Sequence, residues 1–381
     1  MIYFDNAAAT PIDSELLRVY NHALTDLYAN PSSPHALGRK SMRLFESINE
    51  KTLKLLNLSS KKYEVIHTSG ASEANNLAIV GYAIRNKKKG NHLIYLETDH
   101  PSVTEAHEYL KKAHDFDVSV LHLLPNGNVN VNELVSLLRD DTLLISIGLV
   151  NSETGFITNL KLVKDTIRQL SKALLHVDLV QAYGHLNLPS LDDIDFMTLS
   201  LHKLNGPKCH GLLIKTKKAL LSPILHGGGQ QENYRSGTID LPGAITMFKA
   251  LEIAKQKEID TRMDVWKLNL TLKTFLTNYP DLFLLNSLDT SSLYIVNFSL
   301  KKHKASVVIE ALSEKEIYVS STSACASSAN KPSTTLTALS LNERLATNAI
   351  RVSFGYQNTF EEVMVFSKVL LHILKEIPIS E

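Results

Sequence analysis

The chain has 381 residues, room for two to three domains at about 150 residues each, and its 44% hydrophobic and 21% charged residues are ordinary globular usage. Its 40 Lys and Arg against 39 Asp and Glu leave a formal charge of +1, which excludes binding of nucleic acid or anionic membrane by bulk charge. Two cysteines, Cys209 and Cys325, exclude a disulfide-stapled scaffold and an all-cysteine metal cluster within one chain.

The start, Met1 to Asn6, lacks the basic and apolar stretches of a signal peptide, and apolar runs such as Thr142 to Val150 fall short of the roughly 20 residues that span a bilayer. The expectation is a cytoplasmic protein with neither membrane nor nucleic acid as partner.

From about residue 62 to 215, short β-rich runs alternate with helical stretches. Tyr63 to His67 reads as a strand, then Thr68 to Ser72 as a turn and Glu73 to Arg85 as a helix. Further strands are expected at His92 to Leu96, Val118 to Leu121, Leu143 to Ile147, Leu174 to Asp178 and Phe196 to Ser200, with helices at Val103 to Ala113 and Leu160 to Ala173. This alternation predicts a mainly parallel sheet with helices on both faces, which binds ligands beyond the carboxyl ends of its strands. After Leu241-Pro242-Gly243 a long helix runs to about Tyr279, and a second α/β region follows, with a strand at Leu293 to Ser299 and a helix at Ser306 to Leu312. The expected division is a large domain over 15–255 and a small one from 1–14 and 256–381. Ser320 to Thr335, rich in Ser, Ala and Thr, reads as a mobile loop.

The strand ends hold the candidate chemistry. Thr68-Ser69-Gly70-Ala71-Ser72-Glu73 offers a helix start as a phosphate seat; equally, Ser69 or Ser72 serves as an ordinary helix cap. Asp178 ends an apolar strand, with Gln181 three residues on; it either meets a cation, such as a protonated cofactor nitrogen, or caps the next helix. Lys203, in Ser200-Leu201-His202-Lys203, is either a Schiff-base amine or a solvated lysine. His100 follows a fifth strand. Cys325, between small polar residues, is unlike a buried structural thiol and suits a nucleophile; Cys209, beside Gly206-Pro207-Lys208, reads as a small packing residue. No His or Cys pair with metal spacing is found, so no metal site is expected.

These segments together bring out a resemblance that runs from end to end. Tyr3 to Pro11, Asn30 to His35, Thr68 to Glu73, Asp99-His100-Pro101-Ser102-Val103 and Asn151-Ser152-Glu153-Thr154-Gly155 carry its first half. His176-Val177-Asp178, Ser200 to Lys203, Gly227 to Gln230, Arg235 to Thr238, Ser323-Ala324-Cys325 and Arg351 to Gly355 complete it. The chain resembles the cysteine desulfurases of the NifS/IscS type, in the class V aminotransferase group. The resemblance implies an α/β fold-type-I transferase carrying pyridoxal 5′-phosphate. Its large domain would hold a mainly parallel seven-stranded sheet flanked by helices, beside a smaller α/β domain, and the protein would be a homodimer.

The resemblance also implies roles. Lys203 would hold the cofactor, Asp178 would pair with its ring nitrogen, Gln181 and Ser152 would contact its phenolic oxygen, and His100 would stack on its ring and relay protons. Ala71, Ser72, Ser200 and His202 would hold the phosphate, with Thr238 reaching in from the partner subunit. Arg351 would clamp the substrate carboxylate, beside Asn151. The implied reaction converts L-cysteine to L-alanine: Lys203 removes the Cα proton, and the Cys325 thiolate takes the sulfur as a persulfide. An acceptor then receives it, an iron–sulfur scaffold or a tRNA-thiolation enzyme. The chain departs from the family pattern at Ser152 (usually Asn), Thr322 (usually Gly), Cys209 (usually Gly) and Ser72 (usually Thr). A selenocysteine lyase or aminotransferase, or a scaffold without activity, are the competing readings.

Overall fold

The computed structural model describes residues 1–321 and 333–379. A two-residue strand, β1 (Ile2–Tyr3), opens the chain. Seven strands then build the main sheet: β2 (Tyr63–Thr68), β3 (His92–Leu96), β4 (Asp117–Leu121), β5 (Thr142–Gly148), β6 (Leu174–Asp178), β7 (Phe196–Ser200) and β8 (Gly211–Thr216). Their order is β2-β8-β7-β6-β5-β3-β4. The pairs from β4 to β7 are parallel, and β8 runs antiparallel to both β7 and β2. The six strands expected from the sequence are present. The alternation of strands and helices does not single out β8, because no helix separates it from β7.

The strands are buried on both faces, as expected for a sheet covered by helices: every residue of β3, β7 and β8 is buried. Their period-two alternation divides the apolar side chains between two cores. Ile94, Ile145, Ile147 and Val177 pack with Val163 and Ile167 of the helix Leu160–Leu170. Leu93, Tyr95, Leu144 and Phe196 pack with Val103, Ala106 and Leu110 of the helix Pro101–His114. The helix expected from Glu73 instead starts at Ala71 and carries a five-residue π-helical segment, Leu77–Gly81, before it ends at Asn86.

The second sheet is antiparallel. Of β9 (Phe283–Leu285), β10 (Ile295–Leu300), β11 (Ile317–Tyr318), β12 (Ser320–Ser321) and β13 (Ala349–Ser353), four form it in the order β12-β13-β10-β9, while β11 pairs with β1. Phe4, just past β1, is fully buried in this sheet's core and meets Phe354 and Phe366 edge to face, with ring centres 5.4 and 5.8 Å apart. The long helix Leu241–Thr277 joins the two regions, giving Met247, Ala250 and Leu251 to the first core and Val265, Leu268 and Leu272 to the second. Among the described residues, no helix is long and apolar enough to cross a membrane. The expected loop over 320–335 is bounded by β12 and by a helix starting at Thr334; Thr322 and Cys325 lie outside the described residues.

Candidate active site

Because β2 and β3 to β7 all run in one direction, their carboxyl ends fall on one edge of the sheet, where β8 begins. A cavity of about 580 Å³ opens there, lined among others by Ala71, Ser72, His100, Asp178, Gln181 and Lys203. Gly211 opens β8 pressed against the turn after β2. A Cβ on Gly211 would stand 2.5 Å from the Gly70 carbonyl carbon, so a side chain there would push the two strand ends apart.

Gly70 caps the helix that follows β2 and offers no side-chain acceptor, which corrects the expectation that Ser69 or Ser72 caps it. The first main-chain bond of that helix runs from Ala74 N to Gly70 O (3.1 Å), so the N–H groups of Ala71 and Ser72 precede the helical ladder at the cavity wall. Glu73 turns back instead, its carboxylate accepting from Ser69 N (2.7 Å) and from Arg235 Nε (2.8 Å). The result is a helix start left open to an anion.

Asp178 caps no helix. Its Oδ1 accepts from Val180 N (2.9 Å) within a turn, and its Oδ2 accepts from Asn75 Nδ2 (2.9 Å). Each oxygen of the carboxylate, which lines the cavity, is thus held by an N–H donor. Lys203 is not a solvated surface lysine: its Nζ donates to the main-chain oxygens of Ala7 (2.5 Å) and Ala8 (2.6 Å). Gln181 Nε2 donates to the same Ala7 oxygen (2.9 Å). The N-terminal segment thus crosses from the second core to hold the amine at the cavity.

His100 caps the helix Pro101–His114, its Nδ1 accepting from Ser102 N (3.1 Å), with Pro101 opening the first turn. Burial, aided by the nearby Lys203 charge, lowers its pKa, although Asp178 opposes this. His202 is pushed down to about 4, chiefly by burial and then by Lys203 and Lys208. Its Nδ1 lies 2.8 Å from Ser200 Oγ, and Ser200 is buried behind the wall rather than on it. Ser200 therefore orients His202 in this structure.

The second sheet reaches the cavity through Arg351 of β13, which is 2% exposed. Its Nη2 pairs with Asp5 Oδ1 (2.9 Å), its Nη1 donates to Ser152 O (2.9 Å), and its Nε is buried with no partner among the described residues. Ser152 lines the cavity. Asn151 also lines it, but its side chain is committed to the loop: Oδ1 accepts from Thr154 N (2.9 Å) and Nδ2 donates to Thr98 O (3.1 Å).

Besides Ser200, one expected residue among those described is not on this wall. Thr238 is exposed and does not line the chain's own cavity, and Cys325 lies outside the described residues. Cys209 is not a packing residue: it is exposed, lines the cavity and has a φ of 65°. Sequence reasoning missed Asp99, Asp5 and Asn75. Asp99 accepts from Gly148 N (2.6 Å), and burial, reinforced by Asp178, raises its carboxyl well above the usual range. Asp5 and Asp99 stand inside the quoted Tyr3–Pro11 and Asp99–Val103 segments, so their signal was present without a chemical reason to weigh it.

With this geometry in place, relatives can be set beside it. The aminotransferase class-V family matches residues 2–366. A NifS/IcsS protein homolog of Lactobacillus delbrueckii subsp. bulgaricus is 32% identical, covering 98% of each chain. A cysteine desulfurase IscS of Neisseria gonorrhoeae is 34% identical over 97% of this chain and 91% of its own. A solved NifS-like protein superposes with a TM-score of 0.91 at 30% identity, covering 99% of this chain and all of the other. The chain belongs to the class-V aminotransferase family. Within it, the full-length matches place it in the NifS/IscS-type cysteine desulfurase group, with the α/β fold of those proteins.

Proposed function

We infer that the protein is a pyridoxal 5′-phosphate-dependent cysteine desulfurase that converts L-cysteine to L-alanine. The observation carrying this is that Lys203, Asp178, His100 and Arg351 line one strand-end cavity in a chain with cysteine desulfurases as full-length relatives. The donor set fits the cofactor. The open helix start at Ala71 and Ser72 suits a phosphate, and a carboxylate fixed by two N–H donors suits a protonated ring nitrogen. An amine held between two carbonyls suits the carbonyl group that it would capture.

When bound, the cofactor supplies an electron sink that weakens the bonds at the substrate's Cα and Cβ. The chain's own groups do the rest. Lys203 Nζ would hold the cofactor and move the Cα proton. Asp178 would keep the ring nitrogen charged, Gln181 and Ser152 would contact the phenolic oxygen, and His100 would cover the ring. Ala71, Ser72 and His202 would hold the phosphate, with Ser200 orienting His202. Arg351, beside Asn151, takes the substrate carboxylate through its guanidinium fork. The Cys325 thiolate attacks the substrate sulfur: a new S–S bond forms as the C–S bond breaks, and the carbon fragment leaves as alanine after protonation. The persulfide passes to an acceptor, either an iron–sulfur scaffold or a tRNA-thiolation enzyme.

In this account the enzyme is a homodimer in which Thr238 serves the partner subunit's cavity. It works in the cytoplasm, where Cys325 stays reduced. The domains divide near residue 255, with 1–14 joining 256–381. The test is to load the protein with the cofactor and supply L-cysteine: alanine and protein-bound persulfide form in equal amounts. Equal turnover of cysteine and cysteine sulfinate without need of Cys325 would overturn the persulfide route.

A further inference from the structure

Along the cavity wall, two side chains, Asn75 and Ser102, connect Asp178 to His100. Asn75 is fully buried on the helix that starts at Ala71. Its Nδ2 donates one hydrogen to Asp178 Oδ2 and the other to Ser102 Oγ, both at 2.9 Å. Ser102 Oγ in turn lies 2.9 Å from His100 Nδ1, which the Ser102 main-chain N–H also approaches at 3.1 Å.

The chemistry of the groups fixes the direction of every bond. An ionised carboxylate only accepts, so the Asn75 amide must turn its nitrogen toward Asp178; the reversed amide would set oxygen against oxygen. Ser102 Oγ accepts from Asn75 and has one hydrogen to give. The main-chain N–H already points at His100 Nδ1, so that nitrogen is an acceptor and the hydroxyl hydrogen goes to it as well. Nδ1 then carries no proton, and the ring's hydrogen resides on Nε2.

We propose that Asn75 and Ser102 are positioning residues for the desulfurase reaction, holding His100 as the Nε2–H tautomer through hydrogen bonds that begin at Asp178. This rests on the assignment of Asp178 and His100 to the cofactor. It gives His100 a definite part. An imidazole with two donors on Nδ1 must break both bonds to take a proton there, so His100 serves as an uncharged ring with one N–H donor rather than as a proton relay. Both donors stabilise the neutral ring. Of the charged and titratable groups around it, Asp178 favours the protonated ring and Lys203 opposes it, and His202 stands on the same strand end as Lys203.

The test is nitrogen NMR of ¹⁵N-histidine-labelled protein, with and without the cofactor, the His100 signals identified by their loss in His100→Gln. In the parent, Nδ1 has the shift of an unprotonated ring nitrogen and Nε2 that of an N–H. Ser102→Ala raises the protonation midpoint of His100 by about half to one pH unit and mixes the tautomers, because a hydrogen bond to the neutral form is lost. Ser102→Thr restores both. Asn75→Leu moves the midpoint the same way, and Ser102→Ala alone decides the matter if that buried variant does not fold. A parent proton on Nδ1, or a midpoint unmoved in Ser102→Ala, overturns the proposal. Failure of the underlying assignment looks different: Asp178→Asn would then leave cofactor affinity and absorbance unchanged, whatever the His100 tautomer.

Discussion

The two sheets meet at one cavity and bring different things to it. The seven-stranded sheet contributes groups already fastened by the protein: Asp178 by Asn75 and Val180, Lys203 by two carbonyls, His100 by Ser102. The four-stranded sheet contributes Arg351, whose guanidinium is shared with Asp5 and Ser152 while its Nε has no partner among the described residues. One region presents several groups, each fixed by its own hydrogen bonds, and the other presents a single guanidinium, which we propose receives the substrate carboxylate. Strand direction explains the difference. Six strands of the large sheet end at the cavity, whereas β13 passes it and presents one side chain.

That contrast can be broken experimentally. The largest effect is expected at Lys203: Lys203→Ala should lower kcat by roughly 10²–10⁴-fold or more, the usual weight of a positioned acid–base group, in an alanine-release assay. Cys325→Ala should abolish protein-bound persulfide while leaving cofactor absorbance intact, which separates the thiol's part from the sheet's. Next comes Arg351→Lys, which keeps the charge and loses the fork. A charge-assisted hydrogen bond is worth about 1.5–3 kcal/mol, so KM for cysteine should rise by roughly 10- to 100-fold with kcat less affected. A kcat loss with unchanged KM would remove Arg351 from the substrate end.

Acid should act on the seven-stranded sheet through its buried histidines. His107 and His185 are held down to about 4 and His176 to about 3, in each case first by burial. Their folded values lie below the unfolded 6.5, so the stability they contribute is present above that pH. It is lost as pH falls through the window toward 4. Thermal melts should show Tm dropping steadily from pH 7 to pH 4.5, and a flat profile would contradict the assignment. The smallest effect is at Cys209, whose φ of 65° suits glycine. Cys209→Gly should add ~1 kcal/mol of stability by relieving a left-handed backbone, with turnover of cysteine kept.

Much of this was legible in the sequence, and the exceptions have physical causes. The expected strands were readable because runs such as His92 to Leu96 are short and apolar, buried on both faces. Strand β8 was not, because a strand that returns without a crossover helix leaves no alternation to detect. Lys203, Asp178 and His100 stood out as candidates by strand-end position, and their roles came with the family resemblance. Their fastenings could not be read there: Asn75 is 103 residues from Asp178, and Ala7 is 196 from Lys203. The Ala7 contact exists only once β1 pairs with β11 and the segment after it crosses to the other sheet, and the Asn75 contact only once β2 joins β6 in one sheet through β8 and β7. The Ser69 and Ser72 cap failed for a local reason, since Gly70 takes the cap position without a side chain.

The central claim is that the fastened groups of one sheet and the Arg351 clamp of the other serve sulfur transfer to Cys325. The most direct measurement is intact-protein and peptide mass spectrometry after one turnover of cofactor-loaded protein with L-cysteine. The account predicts one added sulfur on the peptide bearing Cys325, none on that bearing Cys209, and alanine in equal amount. Sulfur on Cys209, or alanine formed with no sulfur on either thiol, would contradict it.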